Sequence, residues 1–252
     1  MSAPGIAELV QRSSFIFAGT VQQVGRSSLR VLPPRPDLVV VKFEHGFLVN
    51  VVLGKLDGRP ITVKLGQAFA AADAAQTERR FVFFTTAWVH GEEIAVSELG
   101  RLEADKKTEE EVAQAVAMLP ELHLNQRIAS AVLIVHGTVA DIARATNAPR
   151  TGSEHDPFWQ SAVIEVRDVL KGKLATQPAK SRRGRAILLF PGTRDLAFRD
   201  TPRPRVGQEA VFLLHEAAAP LPPDAHVAPD PADIQPPGSI TKIRSIVDAS
   251  GG

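Results

Sequence analysis

The chain has 252 residues, a formal net charge of +1 and no cysteine. This length suits two compact domains, each large enough to bury a core. The balanced charge gives no bulk electrostatic reason to expect a nucleic-acid or membrane partner, and the lack of cysteine excludes disulfides, thiolate chemistry and cysteine metal sites.

The first part of the chain predicts a short helix followed by strands. Residues 4–12 indicate the helix, and residues 15–24 indicate a strand because β-branched and aromatic residues are bounded by polar turns. Residues 25–37 are rich in serine and proline and predict a loop. Residues 38–53 predict one long or bent strand, which Gly46 interrupts.

Three more strands and a helix complete the first half. The strands are predicted at 61–65, 80–89 and 93–99, and the last two form a hairpin around residues 90–92. An alanine-rich segment, 69–76, indicates a helical turn or a loop. Residues 108–111 have the pattern of a capping box, which predicts a helix that ends at Pro120.

The second half repeats this scheme and then adds a tail. Strands are predicted at 133–142, 158–170, 186–190 and 209–215. Seven prolines between residues 217 and 238 predict an extended linker. A short helix is predicted after Ser239. The predicted domains are therefore 1–119, 120–216 and a tail of linker and helix, 217–252.

The two halves share a repeated stretch. Residues 15–21 end in Gly-Thr-Val, and residues 133–139 end in the same three residues 118 positions later. The same spacing relates Ile6 and Val10 to Leu124 and Ile128. Further matches pair 54–56 with 172–174, 58–61 with 184–187 and 82–84 with 211–213. A period this long indicates a duplicated domain rather than a solenoid.

The succession of elements also predicts the fold class. Parallel β/α winding would need a helix after nearly every strand, and neither half has that pattern. Closing a short antiparallel sheet removes its exposed edges. We therefore expect a mainly β protein with two tandem small antiparallel OB-like β-barrels and flanking short helices.

The order of motifs resembles a known superfamily. In both halves an apolar strand ending in Gly-Thr-Val precedes a strand that runs into a Gly-Lys-Leu turn, and a strand of the Val-Phe-Phe type follows. This order is similar to that of the netrin-like or tissue-inhibitor-of-metalloproteinase-like superfamily, an OB-type barrel, and the resemblance implies that fold in tandem. Inhibitors of that group act through an amino-terminal cysteine, which this chain lacks, so protease inhibition is a remote expectation.

The polar residues show no pattern typical of a reaction site. None of the seven histidines has His-x-x-x-His or His-Glu-x-x-His spacing. No serine lies in a Gly-x-Ser-x-Gly elbow. His136, which replaces Ala18 in the repeated strand, is expected to be packed or half-exposed. We therefore expect a non-enzymatic protein without a metal or a cofactor.

A basic segment supports one alternative function. Residues 167–205 contain eleven Lys and Arg and three Asp. OB barrels commonly bind single strands with a basic groove and stacking aromatics, here Phe158, Trp159 and Phe198. The alternative is therefore single-stranded nucleic-acid binding by the second barrel. The basic residues assigned to it are Lys171, Lys173, Arg182, Arg183 and Arg185.

The main expectation is a protein-protein interaction or scaffold module, a component of a larger bacterial assembly. The polar loops 25–37 and 144–156, at matching places in the two halves, are the expected contact surface. They differ in sequence, so the two barrels are not expected to bind the same partner.

The tail gives a second partner-binding hypothesis. Its apolar side could dock in a partner's groove or fold back onto the barrels. The residues on that side are Ile240, Ile243, Ile246 and Val247. No signal peptide or membrane span is visible, so we expect a cytoplasmic protein, with a trimmed secreted form as the alternative.

Overall fold

The structure is a computed structural model and describes residues 4–50, 53–66, 77–90, 93–146, 148–149, 152, 155–174, 184–218, 221–222 and 225–250, with the backbone alone for 87–90 and 250. The chain divides into two compact units, Met1–Leu119 and Pro120–Gly252. Each unit contains a closed five-stranded β-barrel, so the predicted mainly β fold with two tandem barrels is confirmed. The turn or loop predicted at 69–76 lies outside the described residues.

The first unit contains barrel 1. Its elements are α1 (Ile6–Arg12), β1 (Phe15–Val24), β2 (Leu38–Leu48), β3 (Pro60–Lys64), β4 (Arg80–His90), β5 (Glu93–Glu103) and the start of α2 (Lys106–Ser130). The ring order is β1-β2-β3-β5-β4, and only β3 and β5 are parallel. Alternate residues point inward, and five phenylalanines dominate the core. They are Phe15, Phe17, Phe43, Phe81 and Phe83.

Two predicted boundaries of the first unit differ from the structure. β2 ends at Leu48 rather than at residue 53, because the chain turns where the Leu53 N–H donates to the Asn50 carbonyl. The helix α2 runs through Pro120 to Ser130. It begins after Asp105, whose carboxylate accepts the Thr108 N–H at 2.7 Å, so the predicted capping box was placed too late.

The second unit contains barrel 2. Its elements are the rest of α2, β6 (Leu133–Arg144), β7 (Gln160–Lys171), β8 (Arg185–Phe190), β9 (Glu209–Glu216), β10 (His226–Val227), β11 (Ile234–Gln235) and α3 (Ile240–Ser250). β10 has two residues, but it pairs in parallel with β8 and antiparallel with β9 and so closes the ring. The order β6-β7-β8-β10-β9 repeats that of barrel 1.

The segment 217–238 is therefore not the extended linker that the prolines predicted. It carries β10 and β11, which both pair with β9, and β10 occupies the place that β5 has in barrel 1. A strand of two residues is too short to show hydrophobic alternation, and prolines that mark turns between such strands have the same composition as a linker. The second unit consequently continues into the tail instead of ending at residue 216.

A buried ion pair fixes this segment to the barrel. The carboxylate of Asp233, in a 3-10 turn just before β11, is 0% exposed. Arg127 of α2 donates to it from Nε at 2.8 Å and from Nη2 at 2.7 Å. His215 Nε2 lies 2.9 Å from it, and the Asp230 N–H donates at 2.9 Å. Burial alone raises the pKa of Asp233, but the bonds to His215 and Arg127 outweigh it and lower that pKa.

Strand pairing shows that the two barrels correspond strand for strand. The chain of partners Val21–Val41–Ile61 in barrel 1 matches Val139–Ile164–Ala186 in barrel 2. The sequence comparison aligned Ile61 with Ile187 and was therefore wrong by one residue. A shift of one residue along a strand turns a side chain to the opposite face, so Ile187 points outward and corresponds to Thr62.

The repeated Gly-Thr-Val has a packing cause. A Cβ on Gly19 would lie 2.5 Å from the Lys42 carbonyl oxygen. A Cβ on Gly137 would collide in the same way with the carbonyl of Glu165, the residue that corresponds to Lys42. Only glycine allows this approach of the first two strands, so the repeated motif reports on fold rather than on chemistry.

Helices cover one outer face of each barrel. In the first unit Leu9, Val10 and Val112 pack on the outer side of β1 and β4. In the second unit Ile128 of α2 and Ile243 of α3 pack on the outer side of β6 and β9. Ile240, Ile246 and Val247 pack against the same cluster. These contacts favour the fold-back alternative for the tail, and the hypothesis that these four residues bind a partner stays a prediction.

Candidate functional site

The outer face of β2 and β3, away from the helices, is covered in barrel 1 by the chain itself, with a pocket of about 130 Å³ left between the loop and the strands. Residues 25–37 fold over this face, and the side chain of Leu29 is 2% exposed. The Ser28 N–H donates to the hydroxyl of Thr62 at 2.9 Å, and the Ser28 hydroxyl lies 2.8 Å from it. Thr62 is completely buried as a result. The loop covers this face with Leu29, while Arg30 and Val31 are exposed on its outer side, so the prediction that it contacts a partner stays a prediction.

The equivalent face of barrel 2 is open. Ile187 corresponds to Thr62 but is 51% exposed. Ser161 of β7 stands two residue pairs further along, where barrel 1 has the buried Leu38. This shallow groove, called the open face below, combines β7 and β8 with the loops that follow β6 and β9. Its lining residues are Ala145, Thr146, Ala148, Ser161, Ile187, Leu189, Pro222 and Ala225.

A deeper apolar pocket adjoins the open face. It has a volume of about 360 Å³ and shares Leu189 with the open face. We call it the Trp159 pocket. Its lining residues are Pro149, Pro157, Trp159, Leu189, Pro191, Phe198, Thr201, Ala218, Leu221, Val227, Ala228 and Pro229. Proline and aromatic rings thus form much of this surface. Among its described lining residues, Thr201 is the one with a side-chain hydroxyl.

Local hydrogen bonds hold the walls of the Trp159 pocket. The N–H groups of Gly192 and Thr193 donate to the Pro157 carbonyl at 2.9 and 3.2 Å and join the loop before β7 to the loop after β8. The rings of Trp159 and Phe198 meet edge to face, with centroids 6.4 Å apart. Sequence analysis named both rings as candidate stackers, and the structure brings them together at this pocket.

Phe158 marks the rim of this region. It is 54% exposed, and its φ of +48° is unusual for a bulky residue. The Asp156 carboxylate accepts its N–H at 2.8 Å and supports this conformation. Strained backbone of this kind clusters at binding sites, and an exposed aromatic ring is a frequent anchor at protein interfaces.

The loop between β8 and β9, which supplies Phe198 and Thr201 to the Trp159 pocket, is basic, and its Arg203 and Arg205 line a separate surface pocket with residues 206–208. Asp195 contacts His155 at 2.6 Å, and this bond together with the Ala197 N–H lowers its pKa. Asp200 pairs with Arg199 at 3.2 Å. Within the described part of the chain, three exposed arginines of this loop contact no carboxylate. They are Arg194, Arg203 and Arg205.

The described residues among those assigned to nucleic-acid binding, Lys171, Lys173 and Arg185, do not line the pocket formed by the aromatic rings. Lys171 is the last residue of β7, and its ammonium donates to the carbonyls of Ile128 and Ala129 at 2.9 and 2.7 Å, near the end of α2. Trp159 precedes the opposite end of β7. Lys173 and Arg185 are exposed. Arg182 and Arg183 lie outside the described residues, so this alternative stays a prediction.

The polar cluster around His136 has a structural counterpart in barrel 1. Both ring nitrogens of His136 face carboxylates, Asp168 at 3.1 Å and Glu209 at 3.0 Å. Arg167 pairs with Glu209 in barrel 2, and Glu44 pairs with Arg80 at the corresponding positions of barrel 1. The positions of the arginine and the glutamate are exchanged between the two barrels: the arginine is on β7 in barrel 2 and on β4 in barrel 1. Among the residues that the structure describes, no group of three His, Asp or Glu could hold a metal ion.

Comparison with known proteins adds no family. No protein-family model matches the chain, and no curated protein matches it either. No helix in the described ranges is both long enough and apolar enough to cross a membrane. The functional assignment therefore depends on the geometry of barrel 2.

Proposed function

We propose that the protein is a non-enzymatic interaction module that binds an extended segment of a partner protein on the open face of barrel 2. One observation carries this proposal. The corresponding face of barrel 1 is filled by an irregular segment of the chain itself, with Leu29 buried and serine hydroxyls bonded to Thr62. The covered face of barrel 1 supports an extended segment as the ligand, because the corresponding face of barrel 2 leaves Ile187 exposed.

The position of the open face in the barrel supports the proposal. OB-type barrels bind their ligands on strands two and three and on the neighbouring loops. The resemblance noted in the sequence and the ring order of the strands favour that type. The open face lies on β7 and β8, the second and third strands of barrel 2, and on the loops that follow β6 and β9.

The chemistry of the open face favours a peptide over a nucleic acid. Single-strand binding surfaces combine cationic groups with aromatic rings on which bases stack. Among the residues that the structure describes, the side chains that line the open face are aliphatic or small and hydroxyl-bearing, and none of them is charged or aromatic. A segment with an apolar side chain and backbone hydrogen-bonding groups fits this surface better.

Substitution of Ile187 tests the proposal. The full chain is used to capture partners from its native host, and a retained protein identified by mass spectrometry is then purified and titrated against variants. Ile187→Lys places a charge in the middle of the open face and is expected to weaken binding of that protein at least about tenfold. Val169→Lys, a partly exposed valine of the neighbouring strand β7 outside the open face, is the matched control and is expected to bind like the parent.

The result that would overturn the proposal is equal affinity of the parent and Ile187→Lys for the purified partner. Far-UV circular dichroism of both variants establishes that each is folded. Loss of binding in Val169→Lys as well would also count against the open face, because it would show a general effect of added charge on the neighbouring strands β7 and β8.

A further inference from the structure

We infer that the partner segment is acidic and contains proline, and that it inserts a proline ring into the Trp159 pocket while its flanking residues lie on the open face. This inference rests on the proposed function and specifies its ligand. It depends on three features of barrel 2: the continuity of the two surfaces, the composition of the pocket and the charge beside it.

The first feature is continuity. Leu189, on the outer side of β8, lines both the open face and the Trp159 pocket. A segment that crosses β7 and β8 on the open face therefore reaches the pocket without a turn. Ala225 and Val227, at the adjacent β10, line the open face and the pocket respectively, so the two surfaces remain neighbours along a second strand.

The second feature is the composition of the pocket. An N–H group buried among apolar side chains without an acceptor costs free energy, and Thr201 is the one hydroxyl among the described lining side chains. Proline has no N–H and therefore avoids this cost. Its ring also packs well between aromatic rings, as in other grooves that bind extended proline-containing segments, and here Trp159 and Phe198 supply the rings.

The third feature is charge complementarity. Arg194, Arg203 and Arg205 are exposed on the loop that also supplies Phe198 and Thr201 to the pocket, and within the described part of the chain none contacts a carboxylate. Arg203 donates to the Thr193 carbonyl, which holds its guanidinium beside the pocket-forming loop. Exposed arginines without a carboxylate partner, on the loop that supplies two walls of the pocket, favour a ligand whose flanking residues are Asp or Glu.

Synthetic peptides on the full chain test this ligand assignment. The probes are an acetylated nonapeptide of alternating Glu and Pro, the same peptide with Lys in place of Glu, and the same peptide with Ala in place of Pro. Binding is measured by calorimetry on the parent and by fluorescence in a Trp88→Phe background, in which Trp159 is the remaining tryptophan. The Glu-Pro peptide is expected to change Trp159 fluorescence and to bind about tenfold or more tightly than either analogue.

Variants locate the binding on the proposed surface. Arg194→Glu combined with Arg205→Glu is expected to weaken the Glu-Pro peptide about fivefold or more and to reduce the effect of added salt. Arg30→Glu, an exposed arginine in the loop of barrel 1, is the charge-matched control and is expected to leave affinity unchanged. Phe198→Ala is expected to remove the preference for proline over alanine.

Equal affinity for the Glu-Pro and Lys-Pro peptides, or absence of any calorimetric or fluorescence response, overturns the inference. Those results leave the proposed function intact as long as Ile187→Lys still loses its protein partner. Conversely, a partner protein that binds Ile187→Lys as tightly as the parent overturns the proposed function, even when the Glu-Pro peptide binds at Trp159. Binding of a small apolar molecule in the pocket without any peptide binding also counts against the inference.

Discussion

The buried carboxylate of Asp233 permits a quantitative test of how barrel 2 is kept closed. Asp233→Asn keeps the side-chain shape and removes the charge that faces Arg127 and His215. Removing one partner of a buried ion pair typically costs about 3–5 kcal/mol. Because the Arg127 side chain is 20% exposed, water solvates part of the stranded charge. We therefore expect the lower end, a loss of about 3 kcal/mol in the free energy of unfolding of the second unit.

Urea denaturation of the full chain measures this loss. In a Trp88→Phe background, fluorescence reports on Trp159 and hence on the second unit. Asp230→Asn is the control, because Asp230 contacts His123 at 3.0 Å in an exposed pair and asparagine still caps the turn that follows. Exposed pairs contribute about 0–1 kcal/mol, so the control is expected to change stability by no more than that.

Two results would refute this reasoning. One is a loss below about 1 kcal/mol for Asp233→Asn, the range of an exposed pair. The other is an equal loss for Asp233→Asn and Asp230→Asn. Adding Arg127→Met to Asp233→Asn should recover part of the lost stability, since it removes the uncompensated charge and leaves an apolar side chain in its place.

Three further outcomes are expected in the same assay or in simple extensions of it. Gly137→Ala should destabilise the second unit by about 1–3 kcal/mol because the added methyl group collides with backbone atoms. Gly238→Ala should have no effect, because no atom lies within 4 Å of the added carbon. Equal effects of the two substitutions would contradict the packing explanation. Leu29→Ala should destabilise the first unit by about 2–5 kcal/mol and raise binding of a hydrophobic dye, and the exposed Val31→Ala should do neither. Finally, the pKa of Asp233 is lowered in the folded protein, so its stabilising contribution is present above the unfolded pKa and is lost as pH falls through the folded pKa. Stability of the second unit should therefore decline with acidification, and Asp233→Asn should decline less; equal slopes would contradict this assignment.

The parts of the fold that sequence predicted are those with a strong local pattern. The strand at Phe15–Val24 was placed to the residue, because its apolar run is long and bounded by polar turns. β10 was missed because two residues show no alternation. α2 was ended too early because a proline inside a helix removes one backbone hydrogen bond, and here packing of Leu124 and Ile128 on barrel 2 outweighs that loss.

The sequence predicted individual residues and one loop of the candidate site, but not their arrangement around one pocket. Trp159 and Phe198 were noticed as isolated aromatics, and the loop 144–156 was named as a contact surface, yet nothing local shows that these elements border one pocket. The contrast between Thr62 and Ile187 is visible in the sequence, but it becomes meaningful only in the correct register. An alignment displaced by one residue placed Ile187 in the core and concealed it.

The distribution of exposed apolar residues links the duplication to the proposed function. Both copies keep what closure of the barrel requires, namely the glycine at the close approach of the first two strands and the helices on the outer face. The two copies differ on the outer face of their second and third strands, which closure of the barrel does not constrain. Phe158, Ile187 and Leu196 are exposed in the second unit, and a contiguous apolar surface on a folded domain commonly marks an interaction site. Barrel 1 covers the corresponding face with its own loop. An exposed apolar face is therefore not a requirement of this type of barrel. The exposure in barrel 2 is therefore best explained by a partner that supplies the missing segment.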